Sequence, residues 1–303
     1  TYSTLAEAIA AAEDGQTIKL LADCSGNGIQ IKSGRFADKG LTVDFGGYTY
    51  TVGGVLVGST GTGTNAFQLL QGNKITFQNG TIKGVSEGTK PAEDTPNWHG
   101  APAMVIQNYC DLTLKNMTVS GGDETVYTMS NNNGDVVIED TTINAGGAKG
   151  YSYGPFAFDV CGYSSYPSVT VTVKGTSVIN GDIEFSASAG HTGNVKLNLA
   201  GGTINGSLHD GGGSEDIIIT KSDDVTVAAP AGYFWNSEGV LKIAVAKIGE
   251  KNYATLQEAI NAAARNATVT LLADTREKVT ITQMYITLDL NGHTINGGTE
   301  KAK

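Results

Sequence analysis

An eight-residue pattern recurs seven times along this chain, and a chain written this way has few folds open to it. The pattern reads apolar, any, apolar, any, Asn/Asp/Gly, any, Thr/Ser, apolar. It fits Val43 to Tyr50, Ile75 to Ile82, Leu112 to Val119, Val136 to Ile143, Val171 to Val178, Leu197 to Ile204 and Leu288 to Ile295. Alternating apolar positions give each copy one face to bury, as a half-buried strand requires. The fifth slot holds Gly47, Asn79, Asn116, Asp140, Gly175, Gly201 and Gly292, residue types that tolerate a left-handed backbone. Each copy therefore reads as a short strand, a tight bend and a second short strand.

The first six copies start 32, 37, 24, 35 and 26 residues apart, too irregular for a helical repeat of fixed length. Irregular loops on regular rungs fit instead. A lone rung cannot bury its apolar face, whereas rungs stacked in parallel bury a continuous core. The predicted fold is all-β, a single-stranded right-handed parallel β-helix. Composition agrees, because 41 of 303 residues are Gly and 40% are hydrophobic, which suits a turn-rich solenoid and argues against disorder.

A net charge of −10 argues against a nucleic-acid partner, because a phosphate track needs clustered Lys and Arg. Arg35, Arg265 and Arg276 all lie outside the central rungs. No run of about 18 apolar residues is present to span a bilayer. No signal-peptide pattern opens the sequence, which reads as a mature or trimmed form. Cys24, Cys110 and Cys161 lack metal-ligand spacing and are expected as buried thiols; one intervening rung puts Cys110 and Cys161 about 9–10 Å apart, too far for a disulfide.

The two ends are related. Tyr2 to Asp23 (YSTLAEAIAAAEDGQTIKLLAD) and Tyr253 to Asp274 (YATLQEAINAAARNATVTLLAD) match at a constant offset of 251 residues. Each copy predicts an amphipathic helix followed by a buried strand, with Thr4 and Thr255 as N-caps and Glu7 and Glu258 completing capping boxes. At the start of a solenoid such a helix covers the open end of the core. The expected organisation is a β-helix with its cap over 1–227, a connecting hairpin over 228–248, and a partial second module of helix and strands over 249–303. That last module could make a contact or swap between chains.

The order of P-A-G-Y-F-W-N-S-E-G, V-A-K-I-G, Y-A-T-L-Q-E-A-I, V-T-L-L-A-D and I-T-L-D-L-N-G-H-T-I is similar to tandem modules of large surface-exposed or secreted bacterial proteins, placed among the pectate-lyase-like β-helices. The resemblance covers residues 1 to 54 and about 228 to 298, and the middle only through its rung pattern. It implies an extracellular or cell-surface location, and adhesion or glycan contact as the role.

The same superfamily includes polysaccharide lyases and glycoside hydrolases. The lyase chemistry uses carboxylate-bound Ca²⁺ with an Arg or Lys base. The rungs lack Arg, and Lys83, Lys115, Lys149 and Lys174 fall in or near turns, where a solvated lysine is expected. Asp223 and Asp224 are adjacent, but the paired-Asp, Gly-His-Gly and Arg-x-Lys constellation of polygalacturonases is absent.

One polar set stands out. Asp159, Glu184 and His209 are spaced 25 and 25 residues apart, each beside apolar neighbours, so stacked strands would project them from one face about 5 Å apart. Asp182 and Asp210 would lie nearby. The set is either a solvated strand face, a Ca²⁺ site built from Asp159, Asp182 and Glu184, or an acid and base for a sugar. Aromatic residues in the insertions make a second signal: Trp98 and His99, and Tyr151, Tyr153, Tyr163 and Tyr166 around the rung carrying Asp159. They either pack the loops or stack against sugar rings.

The leading expectation is a non-enzymatic extracellular module that presents loops to a host or microbial glycan or surface protein, with no required cofactor. The alternative is a carbohydrate-active lyase or hydrolase centred on Asp159, Glu184 and His209.

Overall fold

The computed structural model describes residues 1–58, 63–86, 101–213, 216–282 and 285–297. The chain divides into two compact units, Thr1–Ala228 and Ala229–Lys303.

Among the described residues the first unit is all-β apart from one short helix, and is built on a thirteen-stranded and a seven-stranded sheet. The chain visits the two in turn. Lys74–Gly84 lies in the larger sheet, Met104–Asn108 in the smaller, Asp111–Ser120 in the larger and Tyr127–Asn131 in the smaller. Among the described residues every strand pairing within the two sheets is parallel, so each strand rests on its counterpart from the previous visit.

Register explains why the apolar alternation matters. Leu41, Ile75, Leu112, Val136, Val171 and Leu197 form one continuous row across the larger sheet, and Val43, Phe77, Leu114, Ile138, Val173 and Leu199 form another. Both rows are buried. The inner row of the smaller sheet, Ile29, Phe67, Ile106, Met129, Phe158, Ile183 and Leu208, is buried as well. The two sheets meet where the Phe67 ring packs edge-on against Phe77, with centroids 5.4 Å apart. Each such side chain contributes about 1.5–3 kcal/mol through burial.

The bends also obey the pattern. Asn79, Asn116 and Asp140 take φ values of 60°, 52° and 49°. Outward amides then stack: Asn116 Nδ2 donates to Asn79 Oδ1 at 3.2 Å, and Asn205 donates to Asn180 (2.8 Å), Asn180 to Asn144 (2.7 Å) and Asn144 to Ser120 (2.9 Å). Asn79, Asn116 and Asn205, each of which opens an Asn-x-Ser/Thr triplet, are thus parts of these ladders. A charged counterpart, Lys115–Glu139–Lys174, has N···O distances of 3.3 and 3.1 Å.

Three copies of the pattern depart from eight residues. Val43 aligns with Phe77 while Thr49 aligns with Thr81, so the first copy begins two residues earlier, at Leu41. The last copy has the same longer bend: Asp289 Oδ1 accepts the Asn291 N–H at 2.9 Å as Asp44 Oδ1 accepts that of Gly46 at 2.9 Å. In the fifth copy Val178 aligns with Thr142 and Thr203, and Ile179 takes the buried slot. Ser177 is turned inward, its hydroxyl accepting the Thr141 N–H and donating to the Lys174 carbonyl. Left-handed geometry falls on Gly202 rather than Gly201.

The cysteines differ from one another: Cys110 is buried, Cys161 half-buried and Cys24 exposed. Cys24 starts the strand Cys24–Gly26, which among the described residues pairs with Thr49–Val52 alone.

Helix α1 (Leu5–Ala11) carries the full capping box between Thr4 and Glu7. Arg35 Nη2 donates to the Ala10 carbonyl at its other end, 2.6 Å away.

In the second unit, helix α2 (Leu256–Ala262) is capped by Thr255, while Glu258 reaches the Ala254 N–H and Glu277 accepts from Leu256 and Gln257. Tyr233–Trp235 and Leu241–Ile243 form an antiparallel hairpin. Ala246–Ile248, placed by sequence in the connecting hairpin, instead joins a four-stranded sheet beside Lys251–Tyr253 and Thr268–Leu271. Ala246, Leu256, Ala259, Ile260, Val269 and Leu271 form its core.

The shifted register gives a direct test. Ile179→Ala should cost about 2–5 kcal/mol in denaturant unfolding and Val178→Ala less than about 1 kcal/mol. Equal costs, or the reverse order, would refute the assigned register.

Candidate functional site

The residues that alternate with the inner row of the seven-stranded sheet form a row of their own. Gln30, Gln68, Gln107, Ser130, Asp159, Glu184 and His209 follow one another in register across the seven strands. Asp159, Glu184 and His209 therefore occupy one face of neighbouring strands, at a spacing of about 5 Å.

Chemistry changes along this row. At one end, Gln30 donates to Gln68 (2.5 Å), and Gln68 (2.7 Å) and Asn65 (2.9 Å) both donate to Gln107 Oε1. Gln68 is only 1% exposed. In the middle, Asp159 is 4% exposed although it lies on the face away from the core. Its carboxylate accepts the Asn131 N–H at 2.6 Å and the Ser130 hydroxyl at 3.1 Å. Burial pushes the Asp159 carboxyl up to about 8, against the pull of the Asn131 N–H and the Ser130 hydroxyl, and the Glu184 charge adds to the rise. Burial likewise pushes the neighbouring Cys161 thiol up to about 11, and raises the Tyr109 and Tyr127 hydroxyls.

The far end opens to solvent. Glu184 is half-buried and His209 exposed. Both line a cleft of about 580 Å³ together with Tyr153, Phe156 and Asp182. Tyr127 donates its hydroxyl to Glu184 Oε2 at 2.7 Å, which fixes the carboxylate and leaves its second oxygen for other donors. The Phe156 ring stacks on Tyr127, with centroids 5.2 Å apart, and tilts against the His209 imidazole at 5.5 Å. Tyr153, 52% exposed, extends the aromatic wall 6.2 Å from Tyr127, and Tyr151 lies 6.1 Å beyond it.

The other residues singled out in the sequence fall elsewhere. Tyr163 and Tyr166 cluster with Tyr109 near the opposite end of the strand Phe156–Gly162, with centroids 6.4 and 5.0 Å from it. Asp210 aligns with Phe185, so strand alternation turns it away from His209, and its Oδ1 accepts the Gly212 N–H. Asp182 reaches the cleft while holding the Ser207 N–H at 2.7 Å. Trp98 and His99 lie outside the described residues. Among the described residues no group of three or more His, Cys, Asp or Glu is arranged to hold a metal ion. The set Asp159, Asp182 and Glu184 has Asp159 enclosed and already hydrogen-bonded.

Tyr127 and Phe156 were not singled out by sequence reasoning. Their signal is an aromatic at the start of a strand outside the eight-residue pattern, in V-Y-T-M-S-N and F-A-F-D-V. Cavities of about 370 Å³ beside α1 and about 830 Å³ in the second unit do not bring carboxylates and an imidazole onto aromatic faces. Comparisons with family models, curated proteins and solved structures give no match.

Asp159 links the site to stability. The unfolded chain releases this proton near 3.8, whereas the native state holds it to about 8. The native state thus binds the extra proton between those values. The contribution is full below about pH 4 and is lost as pH rises through about 8. Thermal melts should show Asp159→Asn flattening the decline of stability between pH 4 and 8 relative to the parent chain. A parallel decline in both proteins would contradict the protonated assignment.

Proposed function

We propose that the first unit is a right-handed parallel β-helix acting as a secreted or cell-surface binding module of bacterial type, and that its Glu184–His209 cleft takes a saccharide. The alternation of the chain between two parallel sheets supports the β-helix, with right-handedness following from the strong preference of parallel crossover connections, while the surface location rests on the module resemblance at residues 1–54 and about 228–298. The meeting of an aromatic wall with a fixed carboxylate and an exposed imidazole carries the second part. Sugar rings offer apolar C–H faces to Tyr153 and Phe156, and hydroxyls that donate to Glu184 and Asp182 and pair with His209.

The arrangement supports holding a sugar over cleaving one. A two-carboxylate hydrolase brings both groups to the glycosidic bond. Asp159 is enclosed by protein and does not reach the cleft, and Asp182, the carboxylate that lines it with Glu184, already accepts the Ser207 N–H at 2.7 Å. Glu184 is held by Tyr127 in a fixed, hydrogen-bonded state.

A glycan array on the full chain, followed by titration calorimetry with the best oligosaccharide, tests the reading. Tyr153→Ala and His209→Ala should each weaken binding about tenfold or more, the loss of one stacking face or polar contact. Asp210→Ala, on the other side of its strand, should bind as the parent does. The absence of any glycan ligand, or unchanged affinity in the two cleft variants, would reject the assignment.

A further inference from the structure

The two modules differ in one respect that bears on what the first can bind. Their equivalence extends to hydrogen bonds: Asp23 Oδ1 accepts the Thr49 N–H at 2.8 Å, and its counterpart Asp274 Oδ1 accepts the Thr294 N–H at 2.7 Å. Helices α1 and α2 start from the same threonine cap, and the strands Thr17–Lys19 and Thr268–Leu271 each pair in parallel with the strand of the following bend.

In the second module Thr268–Leu271 has a second neighbour. Ala246–Ile248 runs antiparallel along its other edge, with Ala246 opposite Leu271 and the Leu272 N–H donating to the Val245 carbonyl at 2.9 Å. The fully buried Ala246 side chain packs among Leu256, Ala259, Ala263, Val269 and Leu271. In the first module Thr17–Lys19 ends its sheet, pairing with Leu41–Asp44 alone among the described residues. Where the second module has its inserted strand, the first has a cavity of about 370 Å³. Its lining includes Leu5, Ala8, Ala12, Ile18 and Leu20, which at the offset of 251 residues are the counterparts of the five side chains around Ala246.

Burial follows the same difference. Ile18 is half-buried where Val269 is fully buried, and Leu21 is 71% exposed where Leu272 is half-buried. Apolar side chains are therefore set for a neighbour along an open strand edge.

We propose that this groove is a docking slot for an antiparallel β-strand of the Val245–Ile248 type, V-A-K-I with its small residue inward, entering along Thr17–Lys19 from a segment joined ahead of Tyr2, as Val245–Ile248 enters ahead of Tyr253. The binding mode is strand addition: main-chain hydrogen bonds supply the pairing, and the groove selects alternate side chains, accepting alanine at the inward position. Modules of this type would then be linked by the hairpin arm of one completing the helix-and-sheet core of the next. The unpaired edge becomes a specific joint rather than an aggregation surface.

The test fuses the sequence of Leu241–Lys251 directly ahead of Thr1 in the full chain, and compares it with the unextended chain and with an extension carrying Asp where the segment has the Ala246 residue type. Residue-resolved hydrogen exchange at Lys19 and Leu21 is the readout. The native extension should slow exchange there about tenfold or more, with the Asp extension matching the unextended chain. Equal exchange in all three chains would overturn the proposal. Equal slowing by both extensions would also overturn it, because the groove would then not be reading the inward side chain.

Discussion

In-register parallel stacking is the constraint on which the rest of the first unit depends. A strand here has no partner within its own pass through the sheets, so its backbone groups and apolar side chains are satisfied by the strands before and after it. Because side chains alternate with a period of two, one residue of slip would turn the core row outward. The bends hold that register: left-handed residues at Asn79, Asn116 and Asp140 turn the chain within a few residues, the Asn116–Asn79 amide pair ties one bend to the next, and a second amide ladder runs from Asn205 to Ser120 beyond the bends. Where a bend gains a residue, as at Thr176–Ser177, the buried Ser177 hydroxyl absorbs the extra length and Ile179 returns to the core row.

The same register carries chemistry on the other face. Stacking that aligns Phe158 with Ile183 and Leu208 necessarily aligns Asp159 with Glu184 and His209. What the row then does depends on what covers it. Gln68 and Asp159 are enclosed, and enclosure makes one part of an amide network and raises the carboxyl pKa of the other. At Glu184 and His209 the cover gives way to Tyr153 and Phe156, and the same geometry becomes a solvent-facing cleft. The transition occurs over two strand spacings, about 10 Å.

This division separates what could be read in the sequence from what could not. Alternation in segments such as Val169–Val173 and the Asn/Gly bends marks strands and turns locally, so the all-β class and the parallel stacking follow from residues close together in the chain. The alignment of Asp159, Glu184 and His209 was legible for the same reason, through their even spacing. Asp159 burial was not, because the groups that hold its carboxyl, the Asn131 N–H and the Ser130 hydroxyl, come from another pass of the chain. The one- and two-residue insertions were hidden too, since V-K-G-T-S-V and V-D-F-G-G-Y-T-Y satisfy the eight-residue pattern while the hydrogen bonds follow a longer bend. Asp210 shows the converse error: nearness in sequence to His209 says nothing of face when alternation separates neighbours.

The repeated module also separates two contributions that are usually inseparable. Helix α1 forms with its capping box complete although no strand occupies the groove beside it, so local capping and the Arg35 tether suffice to place the helix. Helix α2 keeps the threonine cap but has Glu277 in place of a reciprocal box at Thr255, and it rests on a closed core. The helix is thus set by short-range signals, whereas Ile18 and Leu21 stay less buried than their counterparts Val269 and Leu272, which have the neighbouring strand. A module edge that is folded in advance and incompletely buried loses little order on accepting a strand, and at about 25 cal/mol per Å² the apolar area it covers favours association. The design places the cost of ordering in the hairpin that arrives, and Gly249, with φ of 57° between Ile248 and Lys251, supplies the tight turn that limits that cost.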